Sequence, residues 1–349
     1  MIPVFDGHND FLQRVAAAGP QAARLWLEGD DQGHMDLPRL KAGGMVGGFF
    51  AIWVPSPAGL TDHAAVHAME NPPFDLPLPP AIHPDAALPH AFAQAAALLA
   101  LERTGTLDIV RDAAGLRATI AAGRIAAIMH MEGAEAISDP DALHLWHRAG
   151  LRSLGPVWSR PTQYGHGVPF AHPSSPDRGK ALTPQGRTLV QTCNALGIML
   201  DLSHLNEAGF NDVARLSDAP LVASHSGVHA LCESSRNLTD RQLRQIADSG
   251  GLVGLNFASS FLRPDGRRLP LEDLGVMIRH LDHLLAILGE EGVALGSDFD
   301  GALMPRDLPD VAALPRLIDA MRGAGYGEAL IRKIACDNWI GLLERTWWG

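Results

Sequence analysis

Val4-Phe5-Asp6-Gly7-His8-Asn9-Asp10 opens the chain with a short apolar run that ends in a histidine and a carboxylate two residues apart. The pattern recurs downstream. Met129-His130-Met131-Glu132-Gly133, Leu200-Asp201-Leu202-Ser203-His204, Ala223-Ser224-His225-Ser226 and Gly296-Ser297-Asp298-Phe299-Asp300-Gly301 each close an apolar stretch with potential metal ligands. One such ending would carry little information. A set spread over nearly the whole chain implies a single mouth to which every strand delivers a ligand. A (β/α)8 TIM-type barrel builds its active site in this way, at the C-terminal ends of its strands. The expected fold class is therefore α/β, with that barrel.

The rest of the chain alternates accordingly. Strand-length apolar segments fall near 3–6, 45–54, 125–131, 151–157, 198–203, 220–224, 251–257 and 293–297. Helical patterns fall near 86–104, 113–122, 140–149, 184–196, 205–216, 239–248, 271–288, 312–323 and 327–346. Thr183-Pro184 and Thr239-Asp240 carry helix-start chemistry, and Gly197 and Gly250 stand where C-terminal caps belong. Continuous apolar runs such as Gly251-Leu252-Val253-Gly254-Leu255 suit a parallel sheet covered on both faces. No Gly-rich dinucleotide loop follows the first strand, which disfavours an open doubly wound sheet. Residues 1–349 are expected to form a single barrel domain, with βα insertions over the active face near 55–85, 159–182 and 259–270.

Bulk properties narrow the function classes. The 349 residues are 46% hydrophobic and carry a formal charge of −11, with no basic stripe for a nucleic acid. The apolar stretches are broken well before the roughly 20 residues that a membrane helix needs. The chemistry begins at His8, leaving no room for a leader, and Cys193, Cys232 and Cys336 are too scattered for a disulfide framework. The expectation is a soluble cytoplasmic protein without nucleic-acid or membrane partners, and a homodimer.

His8 and Asp10, two apart at a strand end, lie on one face and can reach one ion. Asp298, at the end of the last strand, would join them. His204 and His225 would serve a second ion, and Glu132 could bridge the two through its two oxygens. Asp300 could stand in for Asp298, and Asp6 for Asp10. Nitrogen and oxygen ligands without cysteine suit two Zn2+, with Mn2+ or Co2+ as alternatives. The three carboxylates leave two divalent ions one positive charge in excess, which a bridging hydroxide would neutralise. His130 shares a face with Glu132 and reads as a support. The remaining histidines, His34 and His172 among them, read as surface groups.

These motifs together resemble the renal, or membrane, dipeptidase family of binuclear zinc peptidases, in a bacterial-type soluble form. The resemblance runs from His8 to about Leu343 and includes Arg236-Asn237 and the closing Asp337-Asn338-Trp339. It implies a zinc-dependent dipeptidase whose small dipeptide substrate often carries a D-residue at the C-terminal position. Carried over by motif, His8, Asp10 and Asp298 bind one zinc, His204 and His225 the other, and Glu132 bridges them. Arg236 matches the arginine that grips the substrate carboxylate, with Asn237 beside it. The family commonly places a histidine after the fourth strand; Trp158 stands there in Leu154-Gly155-Pro156-Val157-Trp158-Ser159, and His166 is the candidate replacement. The expected catalytic residues are Asp298, as proton shuttle, and Glu132. Two other readings are kept: another binuclear amidohydrolase, such as an N-acyl amino acid deacylase or a lactonase, and a catalytically weak ligand-binding member.

Overall fold

The computed structural model describes residues 1–56 and 63–347. The strands are β1 (Val4–Asn9), β2 (Met45–Trp53), β3 (Phe74–Asp75), β4 (Leu107–Ile109), β5 (Ile125–Glu132), β6 (Leu151–Gly155), β7 (Ala171–His172), β8 (Met199–Leu200), β9 (Val222–Ser226), β10 (Leu252–Asn256) and β11 (Val293–Gly296). All but β3 and β7 pair in parallel, and nearly all their residues are buried. That explains why they read as unbroken apolar runs rather than as alternating ones. Helices cover the outer face. Pro184–Leu196 begins where the Thr183 side chain accepts from Gly186 N–H and ends at Gly197, whose φ of 66° a residue with a Cβ rarely adopts. Asp240–Asp248 begins at a capping box formed by Thr239 and Gln242. Helices Phe11–Ala18, Ala22–Glu28 and Leu37–Gly43 fill the connection from β1 to β2. The sequence reading left that span empty, because pieces of seven or eight residues show too little periodicity.

The closed eight-stranded barrel expected from the sequence does not form. The hydrogen-bonded path β1-β2-β5-β6-β8 is a curled, open parallel sheet, and β9, β10 and β11 make a separate three-stranded sheet. The short β4 lies beside the first half of β5, and β6 pairs with the second half. Only single bridges, Asp201–Val222 and Asn9–Phe299, span the two seams between the sheets. β8 has two residues, both paired with β6, and at each seam a buried carboxylate accepts from main-chain N–H across the gap. At one seam, Ser297 donates through N–H to Asp6 Oδ1 (2.7 Å) and through its hydroxyl to Asp6 Oδ2 (2.9 Å). At the other, Asp201 accepts from Ser203 N–H (3.0 Å), Ser224 N–H (2.8 Å) and the Ser224 hydroxyl (2.5 Å). Burial pushes Asp201 up, but His130 and these donors outweigh it and hold the group below its ordinary value.

Between the sheets the interior is narrow. A Cβ on Gly7, Gly254 or Gly296 would lie within 2.4 Å of the Ser224 carbonyl oxygen. Trp339, from helix Asn338–Thr346, fills the base with Phe5 and Phe49, and its indole donates to Leu295 O (2.8 Å). At the opposite end the expected insertions meet one another, residues 57–62 of the first lying outside the described ones. β3 pairs antiparallel with β7, and Arg178 bonds Asp75 (2.8 Å). Arg268 N–H donates to Met69 O (2.8 Å), tying the third insertion to helix His63–Glu70 of the first. Among the described residues no helix is long and apolar enough to cross a membrane.

Asp201→Ala would strip several buried donors of their acceptor, and should cost about 2–4 kcal/mol in urea unfolding of the metal-free protein. Asp201→Asn keeps one acceptor oxygen and should cost clearly less. An unmoved midpoint in the alanine variant would show that the seam is held by other contacts.

Candidate metal centre

The strand ends do converge. Glu132, the last residue of β5, places Oε1 at 2.9 Å from His204 Nε2, 3.3 Å from His225 Nε2 and 3.7 Å from His8 Nε2. His8 Nε2 lies 3.6 Å from Asp10 Oδ2, and the Nε2 atoms of His204 and His225 face each other at 3.2 Å. Two triads with metal-ligand geometry share Glu132: one with His204 and His225, the other with His8 and Asp10. Asp298 lies beside the second triad, next to Asp10. A Cβ at Gly301 would lie 2.0 Å from Asp10 Oδ2 and 2.5 Å from Asp298 Oδ1, so the missing side chain there makes room for both carboxylates.

Four of these side chains are held from behind. Ser159 Oγ is 2.8 Å from His204 Nδ1, and Ser224 Oγ is 2.8 Å from His225 Nδ1, leaving both Nε2 atoms facing inward. Gln13 donates to Asp10 Oδ1 (3.1 Å) and Asn256 to Asp298 Oδ2 (3.0 Å). Gln13, Ser159 and Asn256 are supports that the sequence does not announce: Gln13 and Ser159 lie beyond the strand ends, and Asn256, the last residue of β10, ends a strand without a His, Asp or Glu to mark it. His204 and Asp298 have φ of 65° and 62°, a left-handed backbone uncommon for residues with a Cβ.

The electrostatics fit divalent cations. Burial holds His204 and His225 well below the usual imidazole value, reinforced by Arg236 and His8, so both are neutral, as ligands must be. Burial alone would lower His8, but Glu132, Asp10 and Asp298 outweigh it and lift it to about 10. Burial raises Glu132 and Asp298, and Asp10 adds to both. Neither ring nitrogen of His8 has a hydrogen-bond partner although both are buried. Orphaned buried nitrogens facing a cluster of carboxylates form a donor set suited to cations.

The two alternative carboxylates point elsewhere. Asp6 is engaged at its seam, and Asp300 accepts from His34 N–H (2.6 Å) and from Arg14 (3.3 Å). His130 sits behind the cluster with Nδ1 2.8 Å from Ser153 Oγ. His34 and His172, read as surface groups, are not: His34 Nδ1 accepts from Asp300 N–H (2.8 Å), and His172 is buried.

A cavity of about 340 Å3 opens over the cluster, walled by Trp53, Trp158, Phe170, Phe261 and Arg268. Trp158 is part of the cavity wall, its ring 5.7 Å from that of His204. The Arg160 guanidinium lies 4.9 Å from the Trp158 ring centroid and 5.6 Å from that of Trp53, anchored by the buried Glu135 (2.7 Å). His166 is not brought to the cavity wall; it packs beside Gly179. Asn237 donates to Cys232 O (2.9 Å) and Phe261 O (2.8 Å) and accepts from Gly227 N–H (3.1 Å), so its amide braces the loop. Arg236 is buried and is not part of the cavity wall; its guanidinium lies 5.6 Å from the Phe261 ring centroid and bonds Ser226 Oγ (3.3 Å) and His225 O (3.0 Å), while among the described residues its Nε has no partner.

Two measurements check this geometry. Metal uptake must displace the His8 proton, so calorimetry in buffers of different ionisation enthalpy should show proton release at pH 7. Affinity should fall as the pH drops and His8, Glu132 and Asp298 retain protons. Gly301→Ala should weaken the binding of one ion about tenfold or more by displacing Asp10 and Asp298.

Comparison with known proteins agrees. The family described as membrane dipeptidase (peptidase family M19) matches residues 1–346. A metallo peptidase from Rhodobacter sphaeroides, liganded with a phosphinate mimic of the dipeptide L-Ala-D-Ala, is 58% identical over 99% of both chains, with a TM-score of 0.97. The dipeptidase AC of family M19 is also 58% identical, with a TM-score of 0.96 over 100% of this chain and 99% of that one. An uncharacterised protein from the PQQ-III 3′ region of Acinetobacter calcoaceticus is 36% identical over 81% of this chain and 89% of its own. With its strand ends gathered around two Glu132-sharing triads, the chain belongs to the membrane dipeptidase family, peptidase family M19.

Proposed function

We propose that this metallo-dipeptidase cleaves small dipeptides with a free C-terminal carboxylate, accepts a D-residue at that position, and uses two zinc ions. The observation that carries the reading is the position of Glu132 Oε1, within 3.7 Å of three histidine nitrogens on three different strands or strand ends. The phosphinate dipeptide mimic in the Rhodobacter sphaeroides relative supports the substrate class. His8, Asp10 and Asp298 would hold one ion, His204 and His225 the other, and Glu132 both. When bound, the ions supply an activated water and polarise the scissile carbonyl.

The chain's own residues do the rest. Asp298 Oδ1 faces the cluster while Asn256 fixes Oδ2. Burial raises this carboxyl, which suits a group that takes a proton and passes it to the leaving amine. The unpartnered Nε of buried Arg236 supports its role as the carboxylate grip, because the guanidinium keeps a donor free for an anion. Trp158 walls the cavity and excludes water, and His166, away from the wall, is left out of the proposed site. The same reading takes residues 1–349 as one hydrolase domain, supported by the family match over 1–346. A cytoplasmic homodimer is part of it. The three free buried cysteines suit a reducing compartment, and Phe92, 51% exposed and stacked on Trp146, suits a contact face.

Metal-replete protein should contain two ions per chain and hydrolyse L-Ala-D-Ala. Zinc-loaded Asp298→Asn should lose turnover by about 100- to 10,000-fold while still binding dipeptide; near-normal kcat would remove the proton-shuttle role. Arg236→Lys, which keeps the charge but loses the fork, should raise KM on the order of tenfold.

A further inference from the structure

The loop after β10 carries arginines with different engagements. Arg263 pairs with Asp265 (2.7 Å) and donates to Pro270 O (3.3 Å). Arg267 donates to Glu70 O (2.9 Å). Arg268 is fixed by its backbone to Met69 O, yet among the described residues its guanidinium has neither a hydrogen bond nor an ion pair. It is half-buried and lines the cavity over Glu132 and Asp298. The nearby lining residues Met69, Phe261 and Leu303 have apolar side chains. The carboxylates of the cavity have other partners: Asp300 has Arg14, Asp298 has Asn256, Asp10 has Gln13 and Glu132 has the histidines. A guanidinium beside an apolar wall pairs with an incoming carboxylate more strongly than it would in open water.

We infer that Arg268 makes this enzyme select dipeptides that carry a carboxylate side chain, an aspartyl or glutamyl residue, and pairs with that group through its fork. The buried Arg236, its guanidinium 5.6 Å from the Phe261 ring centroid, is the group proposed above for the α-carboxylate, so the two arginines would divide two acidic groups between them. The inference rests on the dipeptidase reading and narrows it. A neutral amide of the same shape cannot pair with a cation, so the discrimination falls between Asp and Asn or between Glu and Gln.

The test compares Ala-D-Asp with Ala-D-Asn, and Asp-D-Ala with Asn-D-Ala, on metal-replete wild type and Arg268→Gln. Calorimetric binding of hydrolysis-resistant analogues, with the amide replaced by a methylene-amine, runs alongside. The expected result is an acid-over-amide preference on the order of tenfold in at least one pair, in both kcat/KM and affinity, that collapses to near unity in the variant. No preference in either pair, a preference that survives Arg268→Gln, or equal loss on acid and amide members would overturn the inference. Absence of all turnover would sink the dipeptidase reading instead, and the binding comparison would still decide the role of Arg268.

Discussion

Glu132 is buried among imidazole nitrogens at the floor of the cavity, with two more carboxylates beside it. At low effective dielectric such a group of like charges is strongly unfavourable, and a single protonated imidazole at His8 offsets only part of it. Divalent cations resolve the conflict. The backbone contributes by holding His204 and Asp298 in conformations they would otherwise avoid. The structure around the centre therefore acts as a rigid frame for charges that repel one another until metal arrives, and metal affinity and fold stability become linked quantities.

The frame departs from regular architecture at the seams for the same reason. An unbroken ladder would place main-chain carbonyls where the strands must diverge to make room for imidazoles and carboxylates. Asp6 and Asp201 substitute side-chain oxygens for those carbonyls and let the two sheets part while their buried N–H groups remain satisfied. Asp201 also faces His130, and Ser224 links it onward to His225 Nδ1. The device that holds the seam is thus the one that aims a ligand.

Much of this was legible in the residue order. Long parallel strands buried on both faces read as apolar runs, and their ends are marked by His, Asp and Glu. Helix 184–196 could be placed to the residue because Thr183, Pro184 and Gly197 each carry a local signal. The open sheet was not legible, because it turns on bonds between Asp6 and Ser297, 291 residues apart, that no local pattern encodes. Asn237 looked like a binding residue because it adjoins Arg236, and only three-dimensional contacts show its amide engaged by the loop. Arg268 was hidden in a basic loop, where three guanidiniums look alike until two of them find partners.

Trp339 and Asp298 give the molecule an order of assembly. β1 is made first, yet one of its neighbours is β11 and its base is sealed by the helix that begins at Asn338. As the chain emerges from the ribosome, the edge of β1 and the polar end at His8 stay uncovered until β11 and the helix Asn338–Thr346 have been synthesised. Contacts of such sequence separation form late and slowly, and leave an apolar edge open to mispairing in the interval. The catalytic mouth is consequently complete only once Asp298 and the helix that begins at Asn338 have joined β1, long after His8 and Asp10 were made.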